Sequence, residues 1–228
     1  MKQTDNLKNN KKNIPKATIG RLSICHRCLD LLAETDSVKE KKTLSSAEIS
    51  ELTGISAEQI RKDLAYFGEF GKRGVGYPVN ELVAALKAIL GSTKKWDIII
   101  TGAGNLGRAL LRYKGFQKRG FIIRGVFDNN RGKIGKEIDG IKIYDVTQLK
   151  SFVREKKIKI GIIAVPMKPA QEIADQMIAG GIKSILNFAP TTIKHPDYVR
   201  INSIDISIEL ERLVYFLSSE LKISPKNM

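Results

Sequence analysis

Apolar residues in the first eighty positions recur at intervals of three and four, and from about residue 96 they gather into short runs separated by further helical spacing. Ile19, Leu22, Leu29 and Leu32, entered through Pro15, predict a first helix, because proline costs a helix little at its opening turn. Two helix-start signals follow. Ser45 with Glu48 three residues on is a capping box ahead of Ile49 and Leu52, and Ser56 with Gln59 is a second, ahead of Ile60, Leu64 and Phe67. The link Thr53-Gly54-Ile55 is short and carries a glycine, so the pair predicts a helix-turn-helix. The spaced glycines of Gly68–Tyr77 suit a tight β-ribbon, and the whole reads as a winged helix.

Pro78 closes that unit, a helical segment runs from Glu81 to Leu90, and Gly91-Ser92-Thr93 leads to a strand at Trp96. Strand-like runs over Ile98–Thr101, Phe121–Phe127, Lys142–Tyr144, Ile158–Val165 and Lys183–Asn187 alternate with helical ones over Asn105–Phe116, Val146–Lys156 and Pro169–Ala179. Such alternation predicts an α/β domain, a mostly parallel sheet with helices on both faces. A last amphipathic helix, Ile206 to about Leu221, carries Leu210, Leu213, Val214 and Leu217 on its apolar side.

At 228 residues and 42% hydrophobic the chain is long and apolar enough for packed cores. No apolar run approaches membrane-spanning length, the polar start lacks an export pattern, and two cysteines, Cys25 and Cys28, make no disulfide framework; a reducing cytoplasm is the expected compartment. A net charge of +15 favours a polyanionic partner. Its distribution complicates that inference. Residues 1–16 hold five Lys against one acid, residues 17–80 nine basic against nine acidic, and residues 81–228 twenty-five against fourteen, so the case for DNA rests on individual charges.

One stretch carries cofactor chemistry. Gly102-Ala103-Gly104-Asn105-Leu106-Gly107 follows a strand and opens a helix: Gly102 makes the turn, Gly104 admits a pyrophosphate to the backbone, and Gly107 lets helix and sheet close up. The helix start supplies N–H groups and partial positive charge to the diphosphate. The next strand ends at Asp128, 21 residues past Gly107, placed to accept the ribose hydroxyls and to favour NAD(H) over NADP(H), with Arg131 near enough to moderate that preference. Alternatively, Asp128 caps a turn with Asn129 and Asn130. Ala164-Val165-Pro166 and Asn187-Phe188-Ala189-Pro190, at the ends of later strands, are candidate walls of a nicotinamide pocket.

On the helix opened by Ser56, burial of Ile60, Leu64 and Phe67 turns Arg61, Lys62, Ala65 and Tyr66 elsewhere. Arg61 is the expected base reader, since a bidentate guanidinium on guanine is the commonest specific contact. Lys62, Lys72 and Arg73 are expected on phosphates, with Ser56, Gln59 and Tyr66 adding hydrogen bonds.

The runs Ile55–Leu64, Tyr66–Tyr77, Gly104–Leu110 and Leu186–Pro190 resemble the Rex family of redox-sensing transcriptional repressors, in order and spacing, over about residues 14–221. The resemblance implies a homodimeric bacterial repressor of fermentative and anaerobic redox genes, released from double-stranded operator DNA by NADH and compatible with it when NAD+ is bound. Residues 1–13, polar, lysine-rich and without periodicity, read as a disordered basic arm that matches no part of the family, and the resemblance implies a winged-helix domain at 14–80, a helix and linker at 81–95, a Rossmann-type NAD(H) domain at 96–204, and a swapped dimerisation helix and tail at 205–228. It places Gly102, Gly104, Asn105, Leu106 and Gly107 on the pyrophosphate, Asp128 on the adenosine ribose and Phe188 near the nicotinamide across the dimer. It also implies a polar coupling among Arg27, Tyr113 and Asp205. Cys25-His26 departs from the aromatic residue more usual there, and Cys25-His26-Arg27-Cys28 matches a CxxC spacing for which helix packing is the expected role. Two other functions fit parts of the chain. An NAD-dependent oxidoreductase would need an acid or base, for which His195 is the sensor-domain histidine, and a nucleotide-dependent scaffold would use the winged helix to bind protein.

Overall fold

The computed structural model describes residues 14–33, 43–72 and 74–220; the basic arm, Arg73 and Leu221 lie outside them. The chain divides into two compact units that meet at Lys94 and Lys95.

In the first unit, α1 (Lys16–Ala33) buries Leu22, Cys25 and Leu29, while Ile19, expected on that face, is exposed because Thr18 takes the inward position. β1 (Thr43–Leu44) precedes α2 (Ser46–Thr53) and α3 (Ala57–Ala65). The first capping box is reciprocal: the Glu48 amide donates to Ser45 Oγ at 3.2 Å and the Ser45 amide to Glu48 Oε2 at 2.8 Å. Gly54 ends α2 at φ +70°, a left-handed turn that glycine takes without a Cβ penalty. The second box is only half formed. Ser56 Oγ accepts from the Gln59 amide, but the Gln59 side chain reaches Asp63 instead of turning back to the cap.

β2 (Tyr77–Pro78) pairs antiparallel with β1, and Lys72 bridges Gly76 at the ribbon's tip, so the wing takes its second strand from ahead of the helix pair. β1, a strand of two residues, has no signature in the apolar pattern. α4 (Val79–Ile89) starts directly after Pro78, and Val79, Leu82, Val83 and Leu86 share a core with Leu22, Ile49, Ile60 and Leu64. The segment set apart as a helix and linker thus belongs, through its helix, to the first core.

The second unit is a seven-stranded sheet: β3 (Trp96–Thr101), β4 (Phe121–Asp128), β5 (Glu137–Ile138), β6 (Ile141–Asp145), β7 (Ile160–Ile163), β8 (Ser184–Asn187) and β9 (Arg200–Ser203), ordered β5-β6-β4-β3-β7-β8-β9. Every pair is parallel except β5 with β6. The helices are α5 (Asn105–Leu111), α6 (Lys114–Lys118), α7 (Leu149–Glu155), α8 (Met167–Gly180) and α9 (Ile206–Glu220). Ile98 and Ile100 enter one core and Ile99 the other, as the two-residue period of a doubly covered strand requires.

The predicted helix over Asn105–Phe116 is interrupted. Tyr113 turns extended at ψ 99°, its ring lies over Gly115, where any Cβ would collide with it, and it meets Phe116 edge-on at 5.2 Å. β5 and β9 were also unforeseen; each is short, and Arg200-Ile201-Asn202-Ser203 is mostly exposed and polar.

Candidate functional site

The chain runs outward from β3 through β4 to β6, then returns to the other side of β3 with β7, which makes the carboxyl edge between β3 and β7 the topological switch point. The glycine turn lies on that edge. Gly102, at φ +95°, donates its amide to the Phe127 carbonyl at 2.7 Å, and a Cβ there would stand 2.3 Å from the Ala164 carbonyl oxygen. A Cβ on Gly107 would stand 1.8 Å from the Gly102 oxygen. The protein's own packing therefore demands both glycines. Gly104 differs, for an added Cβ would meet nothing within 4 Å, and its φ of −78° suits any residue. As the cap of α5 it also offers no side chain to the first-turn amides, which leaves an open approach to backbone N–H groups.

Asp128, at the end of β4 and 8% exposed, braces this turn. Its Oδ2 accepts from the Ala103 amide at 2.7 Å and from Lys133 Nζ at 3.1 Å, and its Oδ1 accepts from the Asn130 amide at 2.8 Å. Burial by itself would raise the carboxyl; the two amides and the Lys133 ammonium outweigh it and hold its pKa below the ordinary value, so the group is ionised at neutral pH. The turn-capping role is therefore real, and its cationic partner is Lys133, five residues on, rather than the exposed Arg131.

Other candidates gather at the same edge. Phe188 donates its amide to Ile163 O at 2.9 Å and packs in the cluster that holds Ala103, Ile100 and Ile162. Val165 is half-buried, Asn105, Leu106, Pro166 and Pro190 are exposed, and Ala189 is buried. Asn187 is fully buried and internally committed: its Nδ2 lies within 3.1 Å of the Ala189 and Thr191 carbonyls and Ser203 Oγ, and its Oδ1 accepts from the Ala189 amide at 2.9 Å. These bonds hold the loop after β8 and occupy the side chain expected to line the pocket.

In the first unit, α3 buries Ile60, Asp63 and Leu64 and exposes Ser56, Arg61, Lys62 and Tyr66; Lys72 is exposed at the wing tip. Arg61 Nη1 donates to Ser46 Oγ at 2.6 Å, which ties its guanidinium to the first turn of α2. Lys62 pairs with Glu58 one turn back at 2.6 Å, with both side chains about two-thirds exposed. Gln59 is turned inward, its Nε2 donating to Asp63 Oδ1 at 3.0 Å.

Asp63 went unnoticed in the sequence. At 1% exposure it accepts from Thr18 Oγ1 at 2.9 Å and from Arg21 through Nε at 2.5 Å and Nη2 at 2.8 Å, clamping α3 to α1. Burial would raise its carboxyl, but the hydrogen bonds from Arg21, Thr18 and Gln59 prevail and lower its pKa. An acid between Ile60 and Leu64 on an otherwise apolar stripe was the available signal.

Of the residues expected to form a polar coupling, Arg27 is exposed on α1, Tyr113 is 53% exposed, and Asp205 accepts from the Ser207 amide at 2.9 Å, capping α9. Cys25 is core, its thiol pushed up to about 11 by burial and thus protonated at neutral pH, and Cys28 donates to the Leu52 carbonyl at 3.6 Å. His195 is exposed, with Nδ1 3.1 Å from the Pro196 carbonyl. Among the described residues no helix is long and apolar enough to cross a membrane.

A helix-turn-helix with a wing, joined to a parallel sheet with a glycine turn at its switch point, defines a nucleotide-responsive DNA-binding regulator. Comparison with known proteins narrows the class. Residues 13–65 match a family described as putative DNA-binding protein N-terminus, and residues 93–191 match the CoA binding domain. The redox-sensing transcriptional repressor Rex of Pelotomaculum thermopropionicum is 49% identical over 204 residues, covering 90% of this chain and 94% of that protein. The crystal structure of RSP with β-NAD+ and operator DNA aligns at TM-score 0.85 and 41% identity over 92% of this chain and 94% of that one; RSP with β-NADH aligns at 0.81 and 40%, over 91% and 95%. The chain belongs to the Rex family of redox-sensing transcriptional repressors. The proteins it resembles are repressors, not enzymes, although they share the nucleotide-binding sheet.

Proposed function

We propose that this chain represses transcription by binding operator DNA through α2, α3 and the wing, and that NADH, seated on the glycine turn, releases it. The observation that carries the reading is Gly104: neither backbone strain nor packing requires glycine there, and a ligand approaching the backbone would. The pyrophosphate lies over Gly104 to Gly107, Asp128 takes the adenosine ribose, and Val165, Phe188 and Pro190 border the nicotinamide. Arg61 reads base edges, while Lys62, Lys72 and Arg73 engage phosphates with Ser56 and Tyr66 beside them.

The chain acts as a homodimer in the cytoplasm on genes of fermentative and anaerobic redox metabolism. Eight large apolar residues of α9, from Ile206 to Leu217, are each at least half exposed in the single chain, a surface that association with a second copy would cover. Two recognition helices fit two half-sites at one spacing, so a nucleotide that rotates the winged helices takes one out of register. NADH achieves this only by binding the released state more tightly than the DNA-bound state, with NAD+ favouring the latter. Arg27, Tyr113 and Asp205 are the proposed relay between nicotinamide and winged helix.

Operator affinity measured at fixed salt with NADH and with NAD+ tests the reading. NADH should weaken binding, whereas equal affinity with both would remove the switch. Arg61→Ala should cost about 1–3 kcal/mol of operator affinity and relax preference at its base pair; a protein-binding scaffold would lose nothing.

A further inference from the structure

The helix-turn-helix region is charge-balanced, so most of this chain's positive charge needs another explanation; residues 95–228 alone hold 23 Lys and Arg against 13 Asp and Glu. The sheet register shows where much of it goes. Trp96 pairs with Phe121, Ile98 with Ile160, Ile160 with Ser184 and Ser184 with Arg200, so five strands begin along one edge, opposite the edge of Gly102 and Asp128. Backbone hydrogen bonds extend the alignment beyond the strands. The Trp96 amide donates to the Gly120 carbonyl at 2.8 Å, Lys183 to Lys159 at 2.9 Å and Arg200 to Lys183 at 2.9 Å.

Each strand therefore starts beside a cation: Arg119, Lys95, Lys157 with Lys159, Lys183, and Arg200. With neighbouring strands about 4.8 Å apart, these charges form a row roughly 20 Å long. Arg119 is half-buried and the other five cations are exposed. The acids nearby do little to offset them: Asp97 pairs with Arg124 at 2.8 Å and Glu155 pairs with Lys156 at 2.9 Å. Like charges held this close repel one another, and a linear polyanion relieves the repulsion while releasing its own counterions.

We propose that this edge is a second, sequence-independent docking surface for the phosphate backbone of duplex DNA. The choice of DNA among polyanions rests on the proposed function, which already brings the chain to a duplex. The row lies on the edge opposite the glycine turn, so NADH leaves it intact, and protein released from its operator stays held on neighbouring DNA.

The full-length protein, saturated with NADH, is titrated onto a non-operator duplex across a salt series by fluorescence anisotropy. Lys157→Gln/Lys159→Gln/Lys183→Gln should make the slope of log affinity against log salt shallower by about 2.7, near 0.9 for each lost phosphate contact. Lys136→Gln/Lys168→Gln/Lys194→Gln removes the same charge from exposed lysines elsewhere and should leave the slope unchanged. NADH fluorescence confirms that both variants are folded. An unchanged slope in the first variant, equal losses in both, or tighter attachment of the wild type to anionic phospholipid vesicles than to duplex would overturn the proposal. Because non-operator DNA is the probe, failure of NADH to release the operator would count against the proposed function alone.

Discussion

Gly104 and Gly107 stand three residues apart in one turn and are glycine for different reasons. At Gly107 a side chain has no room, with the Gly102 oxygen 1.8 Å from the site of a Cβ; at Gly104 there is room, and φ is ordinary. Gly107→Ala should therefore destabilise the protein by about 3 kcal/mol, as overpacking against backbone does. Gly104→Val should cost only about 1 kcal/mol of stability, the difference between a glycine and a β-branched helix cap, while weakening NADH at least tenfold, about 1.4 kcal/mol. Thermal melts and NADH fluorescence on the two variants separate these effects. Residue spacing made the turn and Asp128 legible, because both follow from the geometry of a strand-turn-helix. Spacing could not give hydrogen-bond partners: Asn187 and Gln59 carry the right chemistry for a ligand or DNA, and both spend it inside the protein.

At the scale of elements, the Arg21–Asp63 clamp fixes α3, the proposed recognition helix, to α1. Asp63→Asn leaves a partly solvated Arg21 without its anion, and should cost about 2 kcal/mol, below the range for a fully buried pair because Arg21 keeps 28% of its side-chain exposure. The folded-state pKa of Asp63 lies below the unfolded one, so its contribution is complete above the ordinary carboxylate range and disappears as pH falls through the folded value. Urea unfolding of wild type and Asp63→Asn should thus differ at pH 7, and the difference should shrink as pH falls below the ordinary carboxylate range, whereas a constant difference would mean that the charge is not what matters. Helix positions were readable from caps and apolar period. The short strands β1, β5 and β9 were not, since a strand of two to four residues is specified by its neighbour in the sheet rather than by its own composition.

Across the whole molecule, α9 leaves Leu213 and Leu217 at 65% and 55% exposure, and an isolated chain gains nothing from such a helix. If a second copy covers it, Leu213→Asp/Leu217→Asp removes about 3–6 kcal/mol of apolar burial and should yield monomers by sedimentation. Monomers would bind a single half-site and lose operator affinity, even with the nucleotide turn intact. What the two units do together was legible in the order of their motifs along the chain, because a helix-turn-helix ahead of a dinucleotide turn joins a DNA reader to a ligand site. The account depends on the link between them. Titrating full-length protein onto operator DNA at fixed salt, while the NADH to NAD+ ratio is raised, measures that link directly. Operator affinity should fall as NADH replaces NAD+ and recover when the ratio is reversed. Affinity that ignores the ratio while NADH is bound would contradict the claim that the glycine turn governs the grip on DNA.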